Sequence, residues 1–186
     1  MRNFELQKES FLGGFSKTIN NVSVKEIMDH RITSLAIPLT NEKKCASQFK
    51  RIFKKLMPDI EKSLIISKGK VIFRLANDML FLCENSNEKM PKATIDFLKQ
   101  SFYSTDQSGG WCCIQVSGNN VLKMLERICP LDLSEERFKT LDVKRTSMEH
   151  LGVIIFKKSP KEFFLYSASS SSKSFLHAVE TSCKNL

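Results

Sequence analysis

The stretch WCCIQVSGNNVLKMLERICPLDLSEERF occupies residues 111–138, and its hydrophobic periodicity changes along its length. WCCIQVS (111–117) has the apolar content of a strand, whereas GNNVLKMLERIC (118–129) repeats apolar residues at helical spacing. Pro130 then ends the helix, because the residue before a proline is displaced from the helical region. A strand followed closely by a helix is the unit that predicts the fold of the whole chain.

The same order of elements occurs in both halves of the chain. In the second half, the strand and the helix precede a hairpin and a closing helix, predicted in LGVIIFK (151–157), EFFLYSA (162–168) and SSSSKSFLHAVETSC (169–183). The first half matches with ITSLAIPL (32–39), CASQFKRIFKKLM (45–57), KVIFRL (70–75), MLFLCE (79–84) and KMPKATIDFLKQSF (89–102). LIIS (64–67) and DVKRT (142–146) predict a short strand before each hairpin. We therefore expect an α+β protein of two similar strand-helix-hairpin-helix halves.

These patterns divide the chain into three parts. Residues 1–31 have little periodicity and contain a glycine pair, which predicts an N-terminal arm that is either disordered or laid along a partner. The first α+β half spans residues 32–104 and the second spans 105–186, with FYSTDQSGG (102–110) as the seam between them. Together the halves are expected to form one compact domain, in which each sheet buries one face under helices or against the other sheet.

Composition indicates a folded protein of the cytoplasm. The 186 residues are 41% hydrophobic and include 14 phenylalanines, so a core can form. No apolar run approaches the roughly 20 residues that span a bilayer, and the first residues lack the apolar core of a signal peptide. Six cysteines in a chain that is neither short nor secreted favour reduced thiols. No CxxC occurs, and the three histidines lie far apart, so no metal site is expected.

The net charge of +9 raises the question of nucleic acid as a partner. The densest basic segment is QFKRIFKKLM (48–57), where lysine and arginine alternate with apolar residues as on an amphipathic helix. Aromatic residues for base stacking are not interleaved on its basic face. We favour a solvated helix face over nucleic-acid binding, and attraction to an acidic partner protein remains open.

Motifs for catalysis are missing from the sequence. GxGxxG, GxxxxGK[ST] and GxSxG are all absent, and the serine run at 169–172 is best explained as the start of a helix. Cys112 and Cys113 lie in an apolar strand, where alternation places one inward and one outward, so at most one could react. We therefore predict no catalytic residue in this chain.

Asp132 has two possible roles, a structural one as a helix cap and a chemical one. Asp132 and Glu135 have the spacing of a capping box, in which the aspartate accepts from the N3 amide and the glutamate reaches back. This interpretation predicts a second helix that starts at Asp132, and it requires no chemistry.

The second half resembles the gamma subunit family of heterotetrameric sarcosine oxidase. The resemblance covers residues 105–182 and rests on ICPLDL (128–133), the pair Arg145-Thr146, and the aromatic hairpin before a Ser-Phe helix. The family residues, structural or interface in role, are Trp111, Cys129, Pro130, Leu131, Asp132, Leu133, Arg145 and Thr146.

The resemblance implies a cytoplasmic complex that oxidatively demethylates sarcosine to glycine, with one-carbon transfer to tetrahydrofolate. It implies that FAD, FMN, NAD and tetrahydrofolate are held by partner subunits and not by this chain. The expected partners are the alpha, beta and delta subunits, with this chain docking on the large flavoprotein subunit and contacting neither nucleic acid nor membrane. The family is also similar in fold to the folate-binding domain of aminomethyltransferases.

The resemblance also adds a second function for Asp132. Aminomethyltransferases carry an aspartate at the end of the comparable helix, where it meets the folate, and Asp132 falls at that position. The alternative is therefore a free-standing folate-binding module that uses Asp132. Since no further folate-binding residues are recognisable, we expect the site to be vestigial.

Overall fold

The structure is a computed structural model that describes residues 9–85 and 90–186. The described chain forms eleven strands and four α-helices. Up to the seam these are β1 (Ser16–Ile19), β2 (Val22–Glu26), β3 (His30–Ala36), α1 (Glu42–Phe53), β4 (Ser63–Ser67), β5 (Lys70–Ala76), β6 (Met79–Asn85), α2 (Lys92–Leu98) and β7 (Tyr103–Asp106). They continue with β8 (Trp111–Gly118), α3 (Val121–Glu126), β9 (Val143–Met148), β10 (Leu151–Ser159), β11 (Glu162–Ala168) and α4 (Ser172–Lys184). The predicted α+β composition is confirmed.

The strands form two antiparallel sheets. A five-stranded sheet has the order β4-β5-β6-β3-β7, and a six-stranded sheet has the order β1-β2-β8-β11-β10-β9. The element order β3-α1-β4-β5-β6-α2 recurs as β8-α3-β9-β10-β11-α4. The hairpin β5-β6 lies between β4 and β3 in the five-stranded sheet, and the hairpin β10-β11 lies between β9 and β8 in the six-stranded sheet. Corresponding strands therefore occupy corresponding positions in the two sheets.

The two sheets pack face to face between two helical layers. One apolar cluster lies between the six-stranded sheet and α3 and α4, and a second lies between the five-stranded sheet and α1 and α2. The third cluster joins the sheets through residues that include Phe73, Phe81, Cys113, Phe156 and Tyr166. Each sheet therefore buries one face under helices and the other against its neighbour, because strands of both sheets carry apolar side chains on both faces.

Helix α1 shows why the predicted amphipathic pattern folds as it does. Cys45, Phe49 and Phe53 recur at helical spacing and are buried in the cluster beneath the helix. The helix ends at Phe53, before the predicted limit at 57, because Lys54 adopts the left-handed conformation with φ 56°. None of the helices among the described residues has the length and hydropathy that a bilayer crossing requires.

From residue 9 onward the N-terminal segment differs from the predicted arm, whose residues 1–8 lie outside the described part of the chain. Residues 16–26 form the hairpin β1-β2, and β2 pairs with β8, where Val24 opposes Val116. The turn Asn20-Asn21 has φ values of 46° and 62°, which asparagine tolerates in a tight hairpin. The buried side chains of Val22 and Val24 drive this pairing, and the short alternating pattern around two asparagines was the overlooked signal.

Residues 10–14 are fastened to the body of the chain by Glu26. The Glu26 carboxylate accepts hydrogen bonds from the Ser10 hydroxyl at 2.5 Å and from the backbone N–H groups of Phe11 (3.0 Å), Leu12 (3.2 Å) and Gly14 (2.8 Å). Successive N–H groups directed at one anion form a concave binding nest. A segment that we expected to be loose or on a partner therefore lies against its own sheet from residue 10 onward.

Candidate functional site

The ICPLDL motif forms the corner between α3 and the segment that leads to β9. The Cys129 N–H donates to the carbonyl oxygen of Leu125 at 2.8 Å, and Pro130 then turns the chain away. Leu133 and Phe138 are almost fully buried in the cluster under α3 and α4. The corner is therefore held by apolar side chains before any polar contact is considered.

The structure brings two of the predicted motif pieces together at this corner. The Cys129 thiol lies close enough to the Thr146 side chain of β9 and to the backbone of Leu131 for both groups to lower its pKa. Burial has the larger effect and raises the pKa of this thiol. Cys129 thus acts as a small buried anchor, not as a nucleophile.

Asp132 does not begin a helix, so the predicted capping box is wrong. Its Oδ1 accepts the N–H of Ser134 at 2.9 Å, which makes a short turn. The Ser134 carbonyl then accepts the N–H groups of Arg137 at 3.1 Å and Phe138 at 2.8 Å, which form one helical turn that is not continued. The carboxyl is exposed, and the Ser134 amide lowers its pKa. The segment wraps around the core instead of forming a helix because Leu133 and Phe138 both insert into it.

Glu135 is engaged by Lys157, a residue that the sequence analysis missed. Lys157 on β10 has 0% of its surface exposed, and its Nζ lies 3.0 Å from Glu135 Oε1. The same ammonium donates to the Phe138 carbonyl at 2.7 Å and to the Leu133 carbonyl at 3.4 Å. Side chains alternate along a strand, so Lys157 lies on the same face as Val153 and Ile155, which are buried in the cluster under α3 and α4. This alternation in the sequence could have predicted that Lys157 is buried.

Arg145 and Trp111 meet through a residue of the first half. The Arg145 guanidinium lies 5.8 Å from the ring centroid of Phe81, and the Trp111 ring lies 5.8 Å from the same ring at 73°. Arg145 is exposed and Trp111 is half-buried, so both are accessible at the open end of the contact between the sheets. Tryptophan and arginine beside a phenylalanine are the residue types that dominate protein–protein binding energy.

Three shallow cavities lie on the side of α3 and α4. The largest, of about 600 Å³, is lined by Arg127, Ile128, Glu149, Ser174, His177, Ala178, Thr181, Ser182 and Asn185. Neighbouring cavities of about 360 Å³ and 330 Å³ border Cys129 and Pro130 on one side and Ser10–Gly13 on the other. Asp132 lines none of the three. In residues 9–85 and 90–186, no three His, Cys, Asp or Glu side chains converge to hold a metal ion.

Cys112 and Cys113 are both buried, which corrects the expectation that one faces outward. Cys112 packs under the helices, while Cys113 lies in the cluster between the two sheets. Burial raises the pKa of Cys112 to about 12 and also raises that of Cys113. Neither thiol has the electropositive, open environment that reactivity requires.

Among the solved structures that are similar to this one, two match over most of this chain with TM-scores above 0.6. A chain of the heterotetrameric sarcosine oxidase from Corynebacterium sp. U-96 matches with a TM-score of 0.77 and 15% sequence identity, over 91% of this chain and 87% of that chain. The glycine cleavage system aminomethyltransferase T from Bartonella henselae matches with a TM-score of 0.63 and 10% identity, over 87% of this chain and 46% of that chain. This chain therefore spans about half the length of the aminomethyltransferase.

Sequence comparisons with protein-family models and with curated proteins find no match. The structural matches nevertheless confirm the expected fold relationship to sarcosine oxidase and to aminomethyltransferase.

Proposed function

We propose that this chain is an accessory subunit of the gamma type in a heterotetrameric sarcosine oxidase. The observation that carries the proposal is the near end-to-end match with one chain of such an enzyme, 91% of this chain and 87% of that one. The same fold makes up only 46% of the aminomethyltransferase. The likeness to one chain of such an enzyme over most of its length supports the role of a subunit.

The proposed complex oxidatively demethylates sarcosine to glycine and passes the one-carbon unit to tetrahydrofolate. In this proposal FAD, FMN, NAD and tetrahydrofolate belong to the alpha, beta and delta subunits, and the assembly works in the cytoplasm. The chain itself contributes no catalytic residue. The exposed Arg145 beside Phe81 and Trp111 supports docking of its second half on the large flavoprotein subunit.

The proposal includes an internal duplication of the α+β unit. The recurring element order and the matching strand order of the two sheets support it. In this interpretation the second unit supplies Arg145 and the corner at Pro130, and the first supplies Phe81, which supports the Arg145 guanidinium.

The alternative, a free-standing folate-binding module that uses Asp132, has the aminomethyltransferase likeness in its favour. Against it stands the environment of Asp132, whose exposed carboxylate accepts the Ser134 amide and borders none of the three cavities. A folate pocket buries most of its ligand. The accessory-subunit proposal therefore has the stronger support.

Co-expression tests the proposal directly. A tagged form of this chain, produced together with alpha-, beta- and delta-type subunits, is expected to retain them through purification and to give sarcosine-dependent oxygen consumption. A chain that purifies alone in the presence of those subunits would contradict the proposal.

A tetrahydrofolate titration of the isolated chain distinguishes the folate-binding module from the accessory subunit. The accessory role predicts no binding by either the wild type or Asp132→Asn. Saturable binding by the wild type that is lost in Asp132→Asn would establish the folate-binding module instead.

A further inference from the structure

The two helical layers of the protein differ sharply in charge. Helices α1 and α2, over the five-stranded sheet, contain five lysine and arginine residues and two acidic residues, and Lys54, Lys55 and Lys99 directly follow them. Helices α3 and α4, over the six-stranded sheet, contain three lysines and two glutamates, and Arg127 directly follows α3. Much of the net charge of +9 is therefore concentrated on one outer face of the molecule.

This basic face has a defined geometry on α1. Lys43 and Lys50 lie seven residues apart on one exposed stripe, and Lys44 and Arg51 lie seven apart on the next. The Arg51 guanidinium stacks 4.7 Å from the Phe97 ring centroid, and Gln48 Nε2 donates to the Phe97 carbonyl at 3.0 Å. These contacts tie α1 to α2, so the cations are presented by a fixed pair of helices.

The acidic residues of this layer are already engaged. Glu42 pairs with Arg74 at 3.4 Å, and Asp96 pairs with Lys99 at 3.6 Å. In the part of the chain that the structure describes, no carboxylate lies within ion-pair distance of Lys43, Lys44 or Lys50. These three lysines thus have no ion-pair partner among the carboxylates of residues 9–85 and 90–186.

We propose that the outer face of α1 and α2 docks on an acidic surface of a partner protein. The inference rests on the proposed function and names a second contact of the subunit, separate from the Arg145 side. Charge complementarity selects an acidic partner. Leu39, 92% exposed, precedes α1, and Leu56, 72% exposed, follows it, so apolar side chains flank the cations as they do in protein interfaces.

Nucleic acid and membrane fit this face less well. Phe49 and Phe53 are buried beneath α1, and Phe97 is covered by Arg51, so none of the three phenylalanines of α1 and α2 presents a free ring for base stacking. An interfacial membrane helix needs a free apolar face, whereas that of α1 is packed on the five-stranded sheet.

The test compares two charge reversals of equal size on opposite faces. Lys43→Glu/Lys44→Glu/Lys50→Glu alters the basic face, and Lys123→Glu/Lys173→Glu/Lys184→Glu alters exposed lysines of α3 and α4. Binding of each purified chain to a co-expressed assembly of alpha-, beta- and delta-type subunits is measured from about 0.05 M to about 0.5 M salt. Unfolding temperatures of both variants verify that they are folded.

We expect the α1 variant to bind the assembly about tenfold more weakly at low salt and to lose most of the salt dependence, while the α3–α4 variant behaves as the wild type. Equal binding by the wild type and the α1 variant overturns this inference and leaves the proposed function standing. Failure of the wild type to bind overturns both.

Two further probes address the other partners. The probes are a duplex or single-stranded oligonucleotide and vesicles that contain an anionic lipid. The acidic-protein inference is overturned if one of them binds the wild type but not the α1 variant, while the subunit assembly binds both proteins equally.

Discussion

The ammonium of Lys157 lies 2.7 Å from the carbonyl oxygen of Phe138, nineteen residues earlier in the chain, and has no exposed surface. The same group pairs with Glu135 at 3.0 Å. Together these contacts hold the segment after Pro130 against the six-stranded sheet, so one buried cation shapes the corner that the sequence motif marks.

Replacement of Lys157 by methionine is expected to lower the free energy of unfolding by about 2 kcal/mol, because buried carbonyl groups lose their donor. Lys158→Met is the matched control, since Lys158 is exposed, pairs with Glu162 at the surface and lies 5.5 Å from the Phe164 ring centroid. Its effect should stay below about 1 kcal/mol. Urea unfolding measures both, and equal effects would show that the Lys157 contacts contribute little.

Gly118 should not tolerate a side chain. Its φ is +132°, and an added Cβ would lie 2.1 Å from the carbonyl oxygen of Asn21, at the point where β8 meets β2. We expect Gly118→Ala to destabilise the protein by more than about 3 kcal/mol. Gly152→Ala is the control, because nothing lies within 4 Å of its added Cβ. Thermal unfolding distinguishes them; similar melting temperatures would refute the close approach.

Glu26→Gln should release residues 10–14 from the sheet. The Glu26 carboxylate accepts four hydrogen bonds from this segment. The glutamine side chain is a weaker acceptor because it is uncharged, and its NH₂ group would face N–H donors. Hydrogen exchange at Phe11, Leu12 and Gly14 should accelerate on the order of tenfold. Asp29→Asn, which changes an exposed carboxylate nearby, should leave those rates unchanged. Unaltered protection in Glu26→Gln would rule out the carboxylate as the fastening group.

Asp132 makes a pH-dependent contribution to stability. Its folded-state pKa is lowered by the Ser134 amide, so the stabilisation is present above the usual carboxyl pKa and is lost as the pH falls through the lowered value. Asp132→Asn should therefore unfold at lower urea than the wild type near neutral pH, and the two midpoints should converge in acid. A constant difference at all pH values would contradict this assignment.

All six thiols should be unreactive in the folded protein. Every cysteine is buried, and burial raises the pKa of each, to about 11 for Cys183 and about 12 for Cys112. At pH 8 only about one Cys183 in a thousand is then a thiolate. A colorimetric thiol reagent should label six groups in denaturant and none rapidly without it. Fast labelling of any one thiol in the native protein would oppose the prediction.

The regular elements were largely predictable because their signals are local. The spacing of Phe49 and Phe53 predicts the buried side of α1, and the apolar runs of β10 and β11 predict a hairpin. The corner at Asp132 was harder, since D-L-S-E satisfies a local capping rule that the burial of Leu133 and Phe138 overrides. Alternation correctly placed Cys112 and Cys113 on opposite faces of β8, but only the second sheet shows that the face of Cys113 is also covered.

The sequence alone determined the α+β composition, the order of most strands and helices from residue 32 onward, and the break at Pro130, because periodicity and proline geometry act over a few residues. The tertiary structure decided that the hairpin β1-β2 extends the six-stranded sheet, that Lys157 pairs with Glu135, and that the Arg145 guanidinium lies over the Phe81 ring. These outcomes depend on which distant surfaces exclude water together, and on the requirement that a buried charge find its partners there.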